Sequence, residues 1–260
     1  MNDSTTSQHH AAAWVDAGVP TLRFERRLRH PVEKVWRAVT EPSGLKAWFP
    51  FEVGYPALEP GARITFSEPG MTDHGEILEV DPARLFAFSW GDERFRIELT
   101  PDGDATVLTF VHTFGDRYGA ASFATGWDVC LDALDLSLEG RELTPGDMDT
   151  PHERYVVALG LDEPEVHRTA DGWTVRAERQ LVRPEDAARA AIDRFGDWTG
   201  DWTGEDVRVE LTEGTGHGAR VVVTETGTRA DLLEDARDRW RTRLTRLAAE
   251  LASSPEPEPR

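Results

Sequence analysis

Residues 120–138 carry apolar side chains at three- and four-residue steps, and this pattern marks the element around which the first half of the chain is organised. Such spacing places the apolar residues on one helix face, about a third of the circumference wide. The residues on that face are Phe123, Trp127, Cys130, Leu131, Leu134 and Leu138. The pattern predicts an amphipathic helix whose apolar face requires a covering layer.

Upstream of this helix, apolar and polar residues alternate in short segments, as in strands that are buried on one face. Asp81-Pro82 and Pro101-Asp102-Gly103 are turn signals, and such short connections favour antiparallel pairing. The predicted strands are Arg63–Ser67, Gly75–Val80, Leu85–Trp90, Arg94–Leu99 and Thr106–Phe114. Because aromatic residues crowd one face of this sheet, it needs a cover, which the 120–138 helix supplies. The predicted fold class is α+β.

The second half of the chain repeats the first in shortened form. Residues 21–39 align without gaps to residues 174–192, with seven identical positions of nineteen. Chance pairing would give roughly one or two identities. Trp240 then holds the place in a second apolar helix that Trp127 holds in the first. Since the middle strands have no counterpart, we expect a truncated duplicate of the same motif.

Composition narrows the class of partner. The formal net charge of −19 repels phosphate, so nucleic acid is not an expected partner. The one cysteine, Cys130, excludes an intramolecular disulfide and is typical of a reducing cytoplasm. No apolar run reaches the length of about 18 residues that a membrane span needs. Because no metal-ligand spacing, dinucleotide fingerprint or nucleophile elbow is recognisable, we expect no cofactor and no metal.

Polar and turn-rich segments suggest the domain limits. The expected divisions are a flexible N-terminal tail at 1–19, a main domain at 20–162, a partial repeat at 163–252 and a disordered tail at 253–260. The N-terminal tail is expected to end in a short helix near Trp14. Two Asp-Trp-Thr-Gly segments at 197–204 are expected to fill space left by the missing strands.

Several motifs of the first half occur together in one known superfamily. They are Pro31-Val32-Glu33-Lys34-Val35-Trp36, Trp48-Phe49-Pro50, the segment from His74 to Pro82, Leu85 with Trp90, and Gly126-Trp127. Through them, residues 20–160 resemble the helix-grip superfamily of START and birch-pollen-allergen domains (SRPBCC). Within it, the match is to the family similar to the activator of heat-shock-protein-90 ATPase homologue 1. The resemblance implies a helix-grip fold, in which a curved antiparallel sheet wraps on a long C-terminal helix around a cavity.

The implied cavity supplies the candidate site. The expected ligand-binding residues are Trp48, Phe66, Phe88, Trp90, Phe95, His112, Phe123, Trp127 and Cys130. His112 shares a strand face with Phe110 and Phe114, where it either serves a ligand or reaction or is a core histidine with satisfied hydrogen bonds. The second interpretation is favoured because the sequence reveals no carboxylate partner. Cys130 is expected to act as a small buried hydrophobe rather than a nucleophile.

These observations favour a bacterial, cytoplasmic binding protein that holds a small hydrophobic or amphipathic molecule without catalysis. The alternative is a cyclase- or hydrolase-type enzyme that uses His112 in the same cavity. A third candidate, a chaperone ATPase-activating partner, follows from the family resemblance alone. A homodimer is also left open.

Overall fold

The computed structural model describes residues 9–14, 18–144, 146, 148–195 and 206–253. Internal contacts divide the chain into two compact units. The first comprises Met1–Arg117 and Gly126–Gly146, and the second comprises Tyr118–Thr125 and Asp147–Arg260. The predicted helix is present over 120–138, and its residues from Gly126 onward group with the first unit.

The first unit is built on one antiparallel sheet of eight strands. They are β1 (His9–Trp14), β2 (Thr21–Leu28), β3 (Glu52–Gly54), β4 (Arg63–Glu68), β5 (Met71–Asp81), β6 (Leu85–Trp90), β7 (Glu93–Asp102) and β8 (Ala105–Thr113). Their order across the sheet is β1-β2-β8-β7-β6-β5-β4-β3. The helices are α1 (Val32–Thr40), α2 (Pro42–Leu45) and α3 (Ala120–Leu138). All five strands predicted from alternation are present, with limits that differ by a few residues.

A two-residue turn at Gly91-Asp92 joins β6 to β7. Gly91 has a φ of 54°, a left-handed conformation that glycine adopts without a Cβ clash. The turn sets Trp90 directly opposite Glu93 in the hairpin register. Directly opposed residues project from the same face of a sheet, and so do residues two apart along a strand. Glu93 therefore shares the face of Trp90 and Phe95.

The core of the first unit lies between this sheet face and α3. Buried sheet residues include Phe24, Phe86, Ile97, Leu108 and Phe110, and α3 contributes Trp127, Leu131, Leu134 and Leu138. Polar contacts fix the helix in place, because the buried Arg26 of β2 pairs with Asp128 of α3. Lys34 of α1 donates a hydrogen bond to the carbonyl oxygen of Leu138 at 2.5 Å. A large antiparallel sheet with a long C-terminal helix is the predicted helix-grip arrangement.

The second unit contains a smaller antiparallel sheet of four strands. Its elements are α4 (Asp149–Ala158), β9 (Glu165–Arg168), β10 (Trp173–Leu181), α5 (Glu185–Phe195), β11 (Asp206–Glu213), β12 (Ala219–Gly227) and α6 (Leu233–Ser253). The sheet order is β11-β12-β10-β9. Its core joins one face of this sheet to the apolar side of α6, where Trp240, Leu247 and Leu251 are buried.

The two sheets share a strand order. Read from β9, the second sheet runs β9-β10-β12-β11, which parallels β1-β2-β8-β7 at one side of the first sheet. A helix follows β10 as α1 follows β2, and α6 follows β12 as α3 follows β8. Strands equivalent to β3–β6 have no place in the described order. We retain duplication with loss of the middle strands as a proposal that explains this parallel.

Three sequence-based expectations require correction. The segment near Trp14 is strand β1 rather than a helix, because it pairs with the edge of β2. Strands β3 and β9 were not predicted, since each is short and lacks clear alternation. Helix α4 groups with the second unit rather than with the 20–162 domain, because Arg179 and Arg183 of that unit pair with Glu153 and Asp149. The 197–204 segments and the tail beyond residue 253 lie outside the described residues.

Candidate functional site

A continuous cluster of aromatic rings, here called the aromatic cluster, lies on the inner sheet face of the first unit and includes rings from α3 and from the segment before β3. Its members are Phe49, Phe51, Phe66, Phe88, Trp90, Phe95, Phe110 and Trp127. Ring centroids lie 4.6 Å apart for Phe51 and Trp90 and 4.7 Å apart for Phe110 and Trp127. Phe51 and Trp90 are half-buried, whereas Phe110 and Trp127 are buried. The cluster thus runs from the accessible surface to the interior.

His112 is fully buried at the inner end of the aromatic cluster. Its ring stacks on Phe95, with centroids 4.3 Å apart and planes 13° from parallel. The indole Nε1 of Trp127 donates a hydrogen bond to its Nδ1 at 3.1 Å. Its Nε2 lies 2.9 Å from Oε2 of Glu93. Glu93, His112 and Trp127 form the polar chain of the site.

These contacts define the protonation of His112. An indole N–H can only donate, so Nδ1 must accept and carries no proton. His112 is therefore the neutral tautomer with its proton on Nε2, which donates to the Glu93 carboxylate. Burial lowers the pKa of His112, and the hydrogen bond that His112 donates to Glu93 opposes this effect. Both ring nitrogens are engaged within the first unit, as expected for a core histidine with satisfied hydrogen bonds.

Glu93 is the carboxylate partner that sequence analysis did not find. The predicted strand began at Arg94, which left Glu93 outside the pattern. The Gly91-Asp92 turn was the available signal, because a two-residue turn extends β7 to Glu93 and places it two residues before Phe95. Phe49, whose ring lies 5.5 Å from that of Trp127, was also missed as a site residue.

The structure brings together most of the predicted ligand-binding residues. Phe66, Phe88, Trp90, Phe95, His112 and Trp127 belong to the aromatic cluster or the polar chain. Trp48 is buried beside Phe49, but its indole N–H donates to the carbonyl oxygen of Ala38 in α1. Phe123 is half-buried in the part of α3 that groups with the second unit, so it is not placed with the others.

Cys130 and Gly126 indicate unfilled space along one side of α3. Cys130 keeps accessible surface, yet burial raises the pKa of its thiol to about 12. We infer a recess beside this thiol, because it is partly accessible and yet desolvated. Gly126 lies one turn earlier on the same face, and a Cβ there would meet nothing within 4 Å. The protonated thiol is a poor nucleophile, as expected for Cys130.

Two further grooves lie in the second unit. One of about 670 Å³ is lined by α4 and the end of α6, and another of about 360 Å³ lies where β10 and β12 meet their loops. Among their described lining residues, neither groove includes a residue predicted to bind the ligand.

Under the proposed duplication, the second unit holds a different polar group at the place that corresponds to His112. Glu225 on β12 lies 113 residues after His112, and Trp240 on α6 lies 113 residues after Trp127. Glu225 is fully buried and accepts a hydrogen bond from the indole of Trp240. Nη2 of Arg239 lies 2.5 and 2.7 Å from its two carboxylate oxygens. Arg239 occupies the helix position that corresponds to Gly126, so a guanidinium stands where the first unit has open space beside α3.

Replacing His112 with alanine should lower the free energy of unfolding by about 1–3 kcal/mol, because the change leaves the indole N–H of Trp127 and the Glu93 carboxylate without their partner. Urea unfolding monitored by tryptophan fluorescence measures the loss. His74→Ala, at an exposed histidine of the same sheet, is the control and should unfold like the parent. Unchanged stability of His112→Ala together with lost turnover of a substrate would instead identify a catalytic histidine.

Two solved structures are similar to part of this chain. CalU16 from Micromonospora echinospora shares 24% identity over 59% of this chain and 98% of that chain, with a TM-score of 0.48. A conserved protein of unknown function, EF2215 from Enterococcus faecalis, shares 18% identity over 60% of this chain and 91% of that chain, with a TM-score of 0.51. Likeness at these identities concerns the fold, and no curated protein matches the chain.

The first unit has a helix-grip domain, the class that its large antiparallel sheet and long C-terminal helix define. Residues 29–139 match the model of the SRPBCC-type family described as activator of Hsp90 ATPase homolog 1-like protein. Within the described residues, no helix is long and apolar enough to cross a membrane.

Proposed function

We propose that the first unit binds a small apolar or amphipathic molecule on the aromatic cluster, beside α3, without catalysing a reaction. The observation that carries this proposal is the continuity of the cluster from the half-buried Phe51 and Trp90 to the polar chain at His112. Small-molecule sites are mostly apolar and aromatic, with a few polar groups that fix orientation. The inferred recess beside Gly126 and Cys130 would supply room for a ligand, since a Cβ at Gly126 would meet nothing within 4 Å. Membership of a ligand-binding fold class supports the same function.

The polar chain argues against acid–base catalysis by His112. A general base must offer a nitrogen lone pair to a substrate proton, and Nδ1 of His112 already accepts from Trp127. Nε2 already donates to Glu93. The enzyme alternative rests on the same 2.9 Å contact, since a carboxylate–imidazole pair is a common acid–base device. It requires Trp127 to release Nδ1 when a substrate binds.

Two other elements of the proposal come from the sequence and from the family match. The single cysteine supports a cytoplasmic location. The family description names the activation of a chaperone ATPase, and we keep this as an alternative function to which no residue of this chain is assigned.

Filling the recess should abolish ligand binding. Cys130→Trp adds a large ring beside the space at Gly126, so N-phenyl-1-naphthylamine, a neutral fluorescent probe, should bind at least about tenfold more weakly than to the parent. Cys130→Ala keeps the space and should bind like the parent. Val157→Trp adds the same ring at an exposed site of the second unit and should also leave binding unchanged. Each variant is first shown to be folded by its thermal transition. Equal binding to Cys130→Trp and the parent, or no binding to the folded parent, would contradict the proposal.

A further inference from the structure

Glu93 places a carboxylate at the accessible end of the aromatic cluster. It lies opposite Trp90 across the β6–β7 hairpin and two residues before Phe95, on the same face. An acidic residue at such an inner-face position is unusual, because the neighbouring positions on that face are aromatic. The Glu93 side chain is 32% exposed, whereas His112, which it contacts, is fully buried. Glu93 therefore lies between the surface and the interior of the site.

The charge of Glu93 is not neutralised by His112. Because Nδ1 of His112 accepts the indole N–H of Trp127, the imidazole contacts Glu93 as a neutral donor rather than as a cation. The pair thus carries the full negative charge of the carboxylate. His112 engages Oε2, and a carboxylate accepts about four hydrogen bonds through its two oxygens, so capacity remains for a donor on a ligand.

Trp90 lies between Glu93 and a second carboxylate. Its indole N–H donates to Oδ2 of Asp73 at 2.7 Å. The backbone N–H of His74, and then this indole, hold the pKa of Asp73 below its ordinary value. The half-buried Trp90 ring also has Phe51 at its edge and Phe66 stacked at 4.7 Å. Aromatic faces attract cations through the ring quadrupole, and tryptophan does so most strongly.

We infer that the ligand of the first unit is an amphipathic cation, whose apolar body lies on the aromatic cluster and whose ammonium group lies between Trp90 and the Glu93 carboxylate. This inference rests on the proposed function and specifies its ligand class. A neutral ligand would supply no counter-charge to Glu93 in a partly desolvated site, and an anion would be repelled by both carboxylates. The net charge of −19 further favours the approach of a cation.

A matched pair of probes tests the cationic ligand class separately from the proposed binding function. Diphenylhexatriene is neutral and apolar, and its trimethylammonium derivative differs only by the cationic group. Titrated into the full chain at 150 mM salt, the cationic probe should bind at least about tenfold more tightly than the neutral one. Glu93→Gln keeps an acceptor for His112 and removes the negative charge. The preference for the cationic over the neutral probe should therefore fall below about threefold, while the affinity for the neutral probe stays within about twofold of the parent. Asp104→Asn removes the same charge at an exposed turn residue and should keep the tenfold preference.

The outcomes distinguish failure of this inference from failure of the proposed function. Binding of neither probe to the folded parent overturns the proposed function and the inference together. Equal binding of both probes to the parent overturns the cation inference alone. Equal loss of preference in Glu93→Gln and Asp104→Asn also overturns it, since the preference would then reflect overall charge. An Asp73→Asn variant that lowers the preference, with neutral-probe binding unchanged, would support it.

Discussion

Replacing Arg239 with alanine should lower the free energy of unfolding of the second unit by about 3–5 kcal/mol. Arg239 is the cation that faces the fully buried Glu225 carboxylate, with both carboxylate oxygens within 2.7 Å of Nη2. Removing one partner of a buried ion pair leaves an uncompensated charge in a medium of low dielectric constant. Urea unfolding of the full chain measures the loss, and hydrogen exchange of the β12 amides assigns it to the second unit.

Two controls test the cause of this loss. The double variant Arg239→Ala with Glu225→Gln removes both charges and keeps an acceptor for the indole of Trp240, so it should be more stable than Arg239→Ala alone. Arg237→Ala removes an arginine whose ion pairs with Glu234 and Asp238 lie at the surface, and it should unfold like the parent. Similar stability of Arg239→Ala and the parent would show that Glu225 is not held as a buried carboxylate.

Replacing Trp127 with alanine should lower the free energy of unfolding of the first unit by about 3–5 kcal/mol. The indole is buried and contacts the rings of Phe49, Phe95 and Phe110. Its loss creates a cavity in the aromatic cluster and leaves Nδ1 of His112 without the Nε1–H donor. Urea unfolding with hydrogen exchange of the β8 amides measures the loss and assigns it to the first unit.

Trp127→Phe separates ring packing from the hydrogen bond. Phenylalanine keeps much of the apolar contact but cannot donate to His112, so the loss should be about 1–2 kcal/mol. A loss below about 1 kcal/mol for Trp127→Ala would contradict a tightly packed aromatic cluster. Equal losses for the two variants would show that the hydrogen bond, and not the packing, dominates the contribution of Trp127.

Periodicity predicted the fold well because alternation in strands and three- to four-residue spacing in helices are both local patterns, which can be recognised within a few residues. The alternation in Arg94–Leu99 and the helical spacing in 120–138 each follow directly from which face is buried. Strand β1 could not be predicted in this way. Its conformation depends on pairing with β2, a partner distant along the chain, rather than on a local pattern.

The candidate site was predicted only in part, for a related reason. Aromatic residues at alternating positions identified most members of the aromatic cluster. The His112–Glu93 and Trp127–His112 contacts join three separate elements, so single-element patterns gave no sign of them. The proposed duplication pairs Gly126, which lies beside open space, with Arg239, which binds a buried carboxylate. This difference could not be predicted from the sequence, because it depends on how each helix is aligned with its sheet.

The most direct test of ligand binding in the first unit uses the indole N–H signals of its tryptophans. Nitrogen–proton correlation spectra of the full chain, recorded during titration with N-phenyl-1-naphthylamine, report Trp90 and Trp127 separately from Trp173 and Trp240. We expect the Trp90 and Trp127 signals to shift along one saturation curve, because these rings belong to the aromatic cluster, while the Trp173 and Trp240 signals stay in place. Saturable probe binding without a shift at Trp127, or with an equal shift at Trp240, would contradict binding at the aromatic cluster.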